Sequence, residues 1–415
     1  MSSEKKRALI NLLVMGLAAP IGAGFNFLMT LIAARYLMSE GFGIYSGIIS
    51  IIALFQVIIE GSRNVIIRNI AREPEAMAEI FGVAKGLLWL LSLVAFIGIL
   101  VTMSLKQELR QLPFLTYLIA GLAAMSIYHA LGYGIVFIAK ERIEFNAFGS
   151  VLHKIIGCAL VYSVTCVDGN LNGVLGAITA ANFGLWGFYS WIFRHRFGHV
   201  AIIMKGKELL AMFKEILVVG STAILRRFSW NVDILLLTAF STVAATGIFN
   251  GAYNIVYSLN MVPTFAALPF FPMLSRKAEK DGDRLKRDIL RILGLFFVLA
   301  LPVILFSQNY ADALVLLLLG DGYSASIPVM RILLWDLLFS FPISFLFYTF
   351  LALNLQKLYL WAVTLSLLLN VLVDLLLIPS LGPLGAAYGT LAADILCLAV
   401  LLVGQRRKGP ALRAA

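Results

Sequence analysis

Long apolar runs constrain this chain more than any other feature of its sequence. A helix needs roughly 20 consecutive apolar residues to cross a bilayer, and the chain contains about twelve runs of about that length. Hydrophobic residues make up 61% of the chain and charged residues 13%, whereas soluble proteins have about a quarter charged residues. Too few charges remain to cover the surface of a water-soluble enzyme. The sequence therefore predicts an all-α, polytopic integral membrane protein.

The runs fall into two sets separated by a basic segment. The first set is 8–34, 42–59, 80–105, 113–139, 145–167 and 171–193, and the second is 216–240, 247–274, 289–307, 326–353, 358–378 and 386–404. Between the sets, apolar side chains alternate with lysines, a pattern typical of an amphipathic helix that lies on the cytoplasmic membrane surface. We therefore expect a six-helix lobe at 1–198, a linker at 199–215 and a six-helix lobe at 216–415.

The distribution of basic residues predicts the orientation in the membrane. The formal net charge is +11. If the N-terminus is cytoplasmic, the turns on the opposite side hold only Arg35, Lys106 and Arg110, and the other Lys and Arg residues of the turns lie on the cytoplasmic side. Cytoplasmic loops are enriched in Lys and Arg. We expect a multi-pass protein of the cytoplasmic (inner) cell membrane with both termini cytoplasmic, in contact with anionic membrane lipids. The basic charge therefore does not require a nucleic-acid partner.

The two halves of the sequence repeat short motifs at corresponding positions. Gly43-Ile44-Tyr45 opens the second run and Gly247-Ile248-Phe249 opens the eighth, and each glycine is followed 29 residues later by an arginine. A second motif, GVLGA (173–177), enters the sixth run, and its counterpart GPLGA (382–386) enters the twelfth. Two repeated motifs in the same order favour duplication. Because each half has an even number of spans, both halves begin on the same face, so their pseudo-twofold axis lies along the membrane normal. Repeats of this kind place a binding site at the interface of the halves.

Several longer motifs resemble those of a known family. They are AARYL (33–37), EGFGIYS (40–46), DILLL (233–237), GIFNGAY (247–253), FPMLSR (271–276), NVLVDLLLIP (370–379) and LGPLGAA (381–387). In this order they resemble the polysaccharide-biosynthesis (O-antigen and oligosaccharide repeat-unit) flippases of the multidrug/oligosaccharidyl-lipid/polysaccharide exporter superfamily. The resemblance implies two six-helix lobes in a MATE-like V shape, opening alternately to either side. The two extra C-terminal helices of the lipid II flippase branch are missing, which disfavours that branch.

The same resemblance implies what the protein transports. The implied cargo is a polyprenyl-diphosphate-linked oligosaccharide, which moves from the cytoplasmic to the outer leaflet for the synthesis of cell-surface polysaccharide such as lipopolysaccharide O-antigen. It implies a transporter and not an enzyme, with a polysaccharide polymerase and glycosyltransferases of the same pathway as partners. No cofactor is implied beyond Na⁺ or H⁺ as a coupling ion.

Cations inside the apolar runs are the candidate cargo-binding residues, since a charge in lipid is costly unless it faces protein or water. Lys154 lies about 15 Å deep in the fifth run, and Arg226 and Arg227 lie at similar depth in the seventh. A guanidinium can bind a diphosphate with forked hydrogen bonds, and Trp230, on the same helical face as Arg226, can stack on a sugar. The candidates are Arg226, Arg227, Trp230, Lys154, His153, Arg35 and Arg331.

Acidic residues inside the runs leave a second interpretation open. Asp233, Asp336 and Asp394 are candidates for ion coupling, but each could instead form a structural ion pair with Arg226, Arg227 or Lys154. Glu60 and Arg63, at the inner end of the second run, are candidates for a gate, and a solvated helix end is the alternative.

Two other functions compete with the flippase. A cation-coupled multidrug or small-molecule exporter of the same superfamily should have an apolar cavity with one or two acids, which the cations at mid-depth disfavour. A membrane glycosyltransferase or polymerase needs a sizeable catalytic loop, and the turns of this chain are short. No Walker A sequence or Rossmann fingerprint is present, so ATP hydrolysis is not expected.

Overall fold

The computed structural model describes residues 3–167, 169–278 and 282–408. Side chains are described from residue 18 onward, except at positions 222, 226, 272, 278, 282–284 and 406–408. Within these ranges every regular element is a helix. Eight of the described helices are long and apolar enough to cross a membrane. The prediction of an all-α, polytopic membrane protein is confirmed.

The chain forms two compact units. The first comprises Met1–Leu37 and Ile44–Asn231, and the second comprises Met38–Gly43 and Val232–Ala415. The segment 199–215, predicted to separate two lobes, lies within the first unit, and the chain passes to the second unit only after Asn231.

Among the described residues the first unit contains eight α-helices, the first of which contributes a short piece to the second unit. They are α1 (Ser3–Arg72), α2 (Met77–Leu105), α3 (Gln107–Arg110), α4 (Phe114–Ala139), α5 (Ile143–Cys166), α6 (Leu171–Phe197), α7 (Gly206–Val219) and α8 (Ser221–Ser229). The second unit contains α9 (Val232–Phe240), α10 (Val243–Leu259), α11 (Met261–Ala267), α12 (Phe270–Ala278), α13 (Gly282–Asn309), α14 (Ala311–Leu318), α15 (Ser326–Ala352), α16 (Gln356–Leu381) and α17 (Pro383–Lys408).

The first two predicted spans are joined in α1. Its apolar part, Ala18–Arg72, has 55 residues, about 80 Å of helix and about twice the thickness of a bilayer. The join is a kink at Met38, where φ is 56° and ψ is 178°. This conformation is not helical, so the two halves of α1 are separate helices in physical terms.

The seventh and eighth spans are broken, although their apolar runs predict continuous helices. The seventh is divided into α7, α8 and α9 by interruptions at Gly220 and at Trp230 with Asn231. The eighth is divided into α10, α11 and α12, and the second of its two breaks includes Pro269. Proline has no N–H to donate and its ring clashes with the preceding turn, which explains that break.

The segment α7 does not lie apart from the bundle. Arg68 and Asn69 of α1 both bond to Glu215, and an added Cβ on Gly220 would lie 2.5 Å from the Cα of Gly61. Glu215 contacts Arg68, and Gly220, further along the chain, contacts Gly61, which is earlier in α1. The helix α7 and the end of α1 therefore run antiparallel. The amphipathic helix expected to lie flat on the bilayer is therefore an extension of the seventh span that packs along the end of α1.

The cores of both units contain many aromatic rings. In the first unit Phe81 lies 5.3 Å from Tyr133 and 5.0 Å from Phe193, ring centre to ring centre. In the second unit Phe296 and Phe345 stack at 5.3 Å. Edge-to-face and offset contacts at these distances stabilise packing beyond simple burial.

Two glycines that the internal repeat pairs with each other meet within the second unit. An added Cβ on Gly43 would lie 1.6 Å from the carbonyl oxygen of Val243, and one on Gly247 would lie 1.9 Å from that of Ser39. Neither position has room for a side chain. The matching glycine motifs of the sequence therefore correspond to a close helix crossing.

Candidate functional site

Lys154 is held by an amide and not by an acid. Its Nζ donates a hydrogen bond of 2.7 Å to Oδ1 of Asn26, which brings α5 against α1. Among the described residues no carboxylate forms an ion pair with Lys154. A neutral partner orients the ammonium group and leaves its charge uncompensated. The structural ion pair considered for Lys154 is therefore not formed with any described acid.

His153 also pairs with an amide. Its Nε2 lies 2.8 Å from Oδ1 of Asn182 on α6. The Nδ2 of Asn182 is buried and has no hydrogen-bond partner among the described residues. A buried donor without a partner costs about 1–3 kcal/mol, so this position favours a ligand that accepts a hydrogen bond.

Arg227 brings a second positive charge towards Lys154. The two side chains lie close enough for their charges to repel each other. Arg227 is half-buried, and its Nε is buried without a hydrogen-bond partner among the described residues. Two neighbouring cations without a described counter-ion create a local field that attracts an anion.

The remaining predicted cargo residues are placed as follows. Arg226 belongs to α8, but its side chain lies outside the described residues. Trp230 follows α8 directly and is 43% exposed. Arg35 is exposed, and Arg331 forms an exposed ion pair of 2.8 Å with Asp312. The structure thus brings together Lys154 and Arg227 but places Arg331 in a surface ion pair.

The predicted gate residues are not joined to each other in this conformation. Glu60 is half-buried and Arg63 is exposed, and no ion pair links them among the described side chains. The neighbouring Arg68 pairs with Glu215.

Carboxyl groups converge in the second unit. Asp233 on α9 accepts hydrogen bonds from Nδ2 of Asn370 at 2.8 Å and from Oγ1 of Thr390 at 3.1 Å. The carboxyl group of Asp374, one turn beyond Asn370 on α16, faces that of Asp233. An added Cβ on Gly389 would lie 2.0 Å from Oδ1 of Asp374, so a glycine is required there.

Sequence reasoning missed Asp374 as a site residue. Both of its carboxyl oxygens are buried and lack a hydrogen-bond partner among the described residues. The signal that could have found it is the spacing of Asn370 and Asp374. A separation of four residues places both polar side chains on one face of an otherwise apolar helix.

Asp336 and Asp394 form a second carboxyl pair. Asp336 on α15 and Asp394 on α17 face each other, and Oδ1 of Asp336 is buried without a described partner. Among the described side chains, neither acid forms an ion pair.

The unpartnered polar atoms differ in chemistry between the two units. Among the described side chains, those in the first unit are three donors, Gln56 Nε2, Asn182 Nδ2 and Arg227 Nε, and one acceptor, Oε2 of Glu208 near the start of α7. Those in the second unit are acceptors: Oδ1 of Asp336 and both carboxyl oxygens of Asp374. Donors beside two cations can bind an anion. Carboxylate and hydroxyl oxygens are the ligands of a hard cation such as Na⁺.

Comparison with known proteins identifies the family of the chain and its fold. Polysaccharide biosynthesis proteins, as a family, match residues 8–278. The teichuronic acid biosynthesis protein TuaB of Bacillus subtilis (strain 168) is 20% identical over 226 residues, which are 53% of this chain and 46% of TuaB. The chain thus spans about half the length of this curated relative.

Solved structures show the same fold. The lipid II flippase MurJ, in an inward closed conformation, matches with a TM-score of 0.77 at 13% identity, over 95% of this chain and 87% of MurJ. An inward-facing multidrug resistance MATE family transporter of the MOP superfamily matches with a TM-score of 0.65 at 18% identity, over 98% and 99% of the two chains. The family match covers more than half of the sequence and confirms the resemblance: the chain belongs to the polysaccharide biosynthesis protein family.

Proposed function

We propose that the protein is a flippase that moves a polyprenyl-diphosphate-linked oligosaccharide from the cytoplasmic to the outer leaflet by alternating access. The observation that carries the proposal is the pair of neighbouring cations Lys154 and Arg227, which no described carboxylate neutralises. Charges kept in a membrane without a counter-ion are expensive and indicate a charged ligand. A diphosphate is such a ligand, and Arg227 is suited to bind it through forked hydrogen bonds.

The family and the fold support the same proposal. The family acts in polysaccharide biosynthesis, and one solved structure with this fold is a lipid II flippase. A lipid-linked sugar has an anionic group next to a glycan, and Trp230, three residues after Arg227 and 43% exposed, is the residue that we propose stacks on a sugar. The polyprenyl tail can stay in lipid while the polar part crosses.

Flux in proteoliposomes tests the proposal. Purified protein should translocate a fluorescent polyprenyl-diphosphate glycan, and Arg227→Ala should lower the initial rate at least tenfold, with partial recovery in Arg227→Lys. Arg142→Ala removes an exposed arginine paired with Glu144 and serves as the matched control. Equal rates for wild type and Arg227→Ala would remove Arg227 from the mechanism. Transport of a cationic drug without transport of the lipid-linked glycan would favour the exporter.

Ion coupling is the second part of the proposal. Asp233, Asp374 and Thr390 present oxygens to one point in the second unit, and Asp374 lacks a donor among the described residues. A Na⁺ ion or a proton bound there would cancel one of the two negative charges and so relieve the repulsion between the facing carboxyl groups. Flux should then respond to an imposed Na⁺ or proton gradient in wild type and not in Asp374→Asn. A transport rate that neither gradient changes would contradict ion coupling and leave the flippase proposal intact.

The orientation in the cytoplasmic membrane remains part of this proposal. Basic residues of the proposed inner side include Arg68, Lys207, Lys214 and Lys357. Single cysteines at positions 207 and 357 should react with an impermeant maleimide only after cells are permeabilised. Labelling in intact cells would contradict the proposed orientation and indicate the opposite one.

A further inference from the structure

The helix α7 has two distinct faces. Leu209, Met212 and Ile216 are buried against the first unit. Leu210, Leu217 and Val218 are 53%, 46% and 77% exposed, respectively, on the other side. Contiguous exposed apolar side chains on a helix that is already packed against its protein indicate a further contact.

Lysines share the exposed face with these apolar residues. At 100° per residue, five exposed residues fall within a face about 100° wide, which we call the α7 stripe. The α7 stripe consists of Lys207, Leu210, Lys214, Leu217 and Val218.

The charge of the α7 stripe is not neutralised within the described part of the chain. Glu208 pairs with Lys205, and Glu215 pairs with Arg68. Both acids of α7 are therefore engaged away from the stripe. Lys207 and Lys214 form no ion pair with a described residue. The stripe thus combines two available positive charges with an apolar surface.

The order of residues along α7 matches the depth profile of a phospholipid. Because α7 runs antiparallel to the end of α1, its first turns lie towards Arg72 and its last turns lie deeper along α1. With Arg72 on the cytoplasmic side, the lysines lie at headgroup level and Leu217 with Val218 lies among acyl chains. The lysines are seven residues apart, about 10 Å along the helix, which fits one headgroup and its neighbour.

We propose that the α7 stripe is a docking surface for an anionic phospholipid of the cytoplasmic leaflet. The phosphate and headgroup contact Lys207 and Lys214, and one acyl chain lies along Leu217 and Val218. The occupant is a bulk lipid and not the cargo, because flexible exposed lysines suit an exchangeable headgroup, whereas the buried unpartnered donors lie elsewhere, at Asn182 and Arg227. The proposal does not depend on what the protein transports.

Native mass spectrometry of the full-length chain tests the proposal with phosphatidylglycerol and phosphatidylcholine as probes. Each cation near a membrane surface contributes roughly fivefold to the preference for an anionic headgroup, so Lys207→Gln with Lys214→Gln should lower the phosphatidylglycerol preference about 30-fold. The control, Lys286→Gln with Lys357→Gln, removes the same charge from two exposed lysines of the second unit that lie outside the α7 stripe, and it should lower the preference by a clearly smaller factor.

A second measurement uses the unmodified chain and is independent of how the variants fold. Phosphatidylglycerol with a photoreactive acyl chain should crosslink to the peptide that contains Leu217 and Val218. Equal affinity of wild type for the two lipids, an equal loss in the control variant, or crosslinks only outside α7 would each overturn the proposal. Displacement of phosphatidylglycerol from α7 by an equimolar polyprenyl diphosphate would also overturn it and reassign the stripe to the cargo.

Discussion

Replacement of Asp374 by asparagine should stabilise the protein when Na⁺ is absent. In the structure the two carboxyl groups of Asp233 and Asp374 face each other, and no described donor reaches either oxygen of Asp374. Asparagine has almost the same shape, so it fits beside Gly389, and its amide can donate to Asp233. A hydrogen bond to a charged group is worth about 1.5–3 kcal/mol, so we expect a gain of about 2 kcal/mol in Na⁺-free buffer.

Sodium should reverse this order of stability. An ion at about 100 times its Kd stabilises the state that binds it by about 2.7 kcal/mol, which wild type should gain and Asp374→Asn should not. The assay is thermal unfolding of purified protein in N-methylglucamine chloride and in NaCl at equal ionic strength. The control is Asp312→Asn, an acid in an exposed ion pair, where a change below about 1 kcal/mol is expected in both salts. A melting temperature that rises equally with Na⁺ in wild type and Asp374→Asn would refute the assignment of Asp374 to a cation site.

Further predictions concern the first unit and the helix crossing. Asn26→Asp places a carboxylate beside Lys154, so it should raise the melting temperature while it lowers the affinity for inorganic diphosphate measured by calorimetry. Gly247→Ala should lower the free energy of unfolding by about 1–3 kcal/mol, because its Cβ would lie 1.9 Å from the carbonyl oxygen of Ser39. Gly294→Ala, which meets open space, is the matched control, and equal melting temperatures of the two variants would contradict the close crossing. Glu215→Gln should cost no more than about 1 kcal/mol in denaturant or thermal unfolding, since Glu215 and Arg68 are both 33% exposed.

The sequence predicts the membrane class and most spans because lipid imposes a simple rule. Every backbone polar group in a bilayer must be bonded within its own segment, so a long apolar run has to be a helix. The rule fails to predict where a span is broken. The interruption at Trp230 and Asn231 arises where α8 packs with the first unit and α9 with the second, and such packing is not encoded in local hydropathy.

The partners of the buried charges could not be predicted for the same reason. Lys154 has several acids at similar depth in the sequence, and only the fold shows that Asn26 is its neighbour. The acids at 233, 336 and 394 could be identified as candidates because a charge in an apolar run is conspicuous. That Asp233 faces Asp374 and not an arginine follows from the contact between α9 and α16, which no residue pattern specifies.

The break in the seventh span connects the two chemically opposite clusters. Arg227 lies in the last turn of α8 in the first unit. Asp233 lies in the first turn of α9 in the second unit, only six residues later. A ligand that fixes either side chain restricts the same interruption at Trp230 and Asn231. Binding free energies that share a structural element are coupled reciprocally, so a cation at Asp233 and Asp374 should change the affinity for a diphosphate by the same factor that the diphosphate changes the affinity for the cation. This connection requires no contact beyond the six-residue segment.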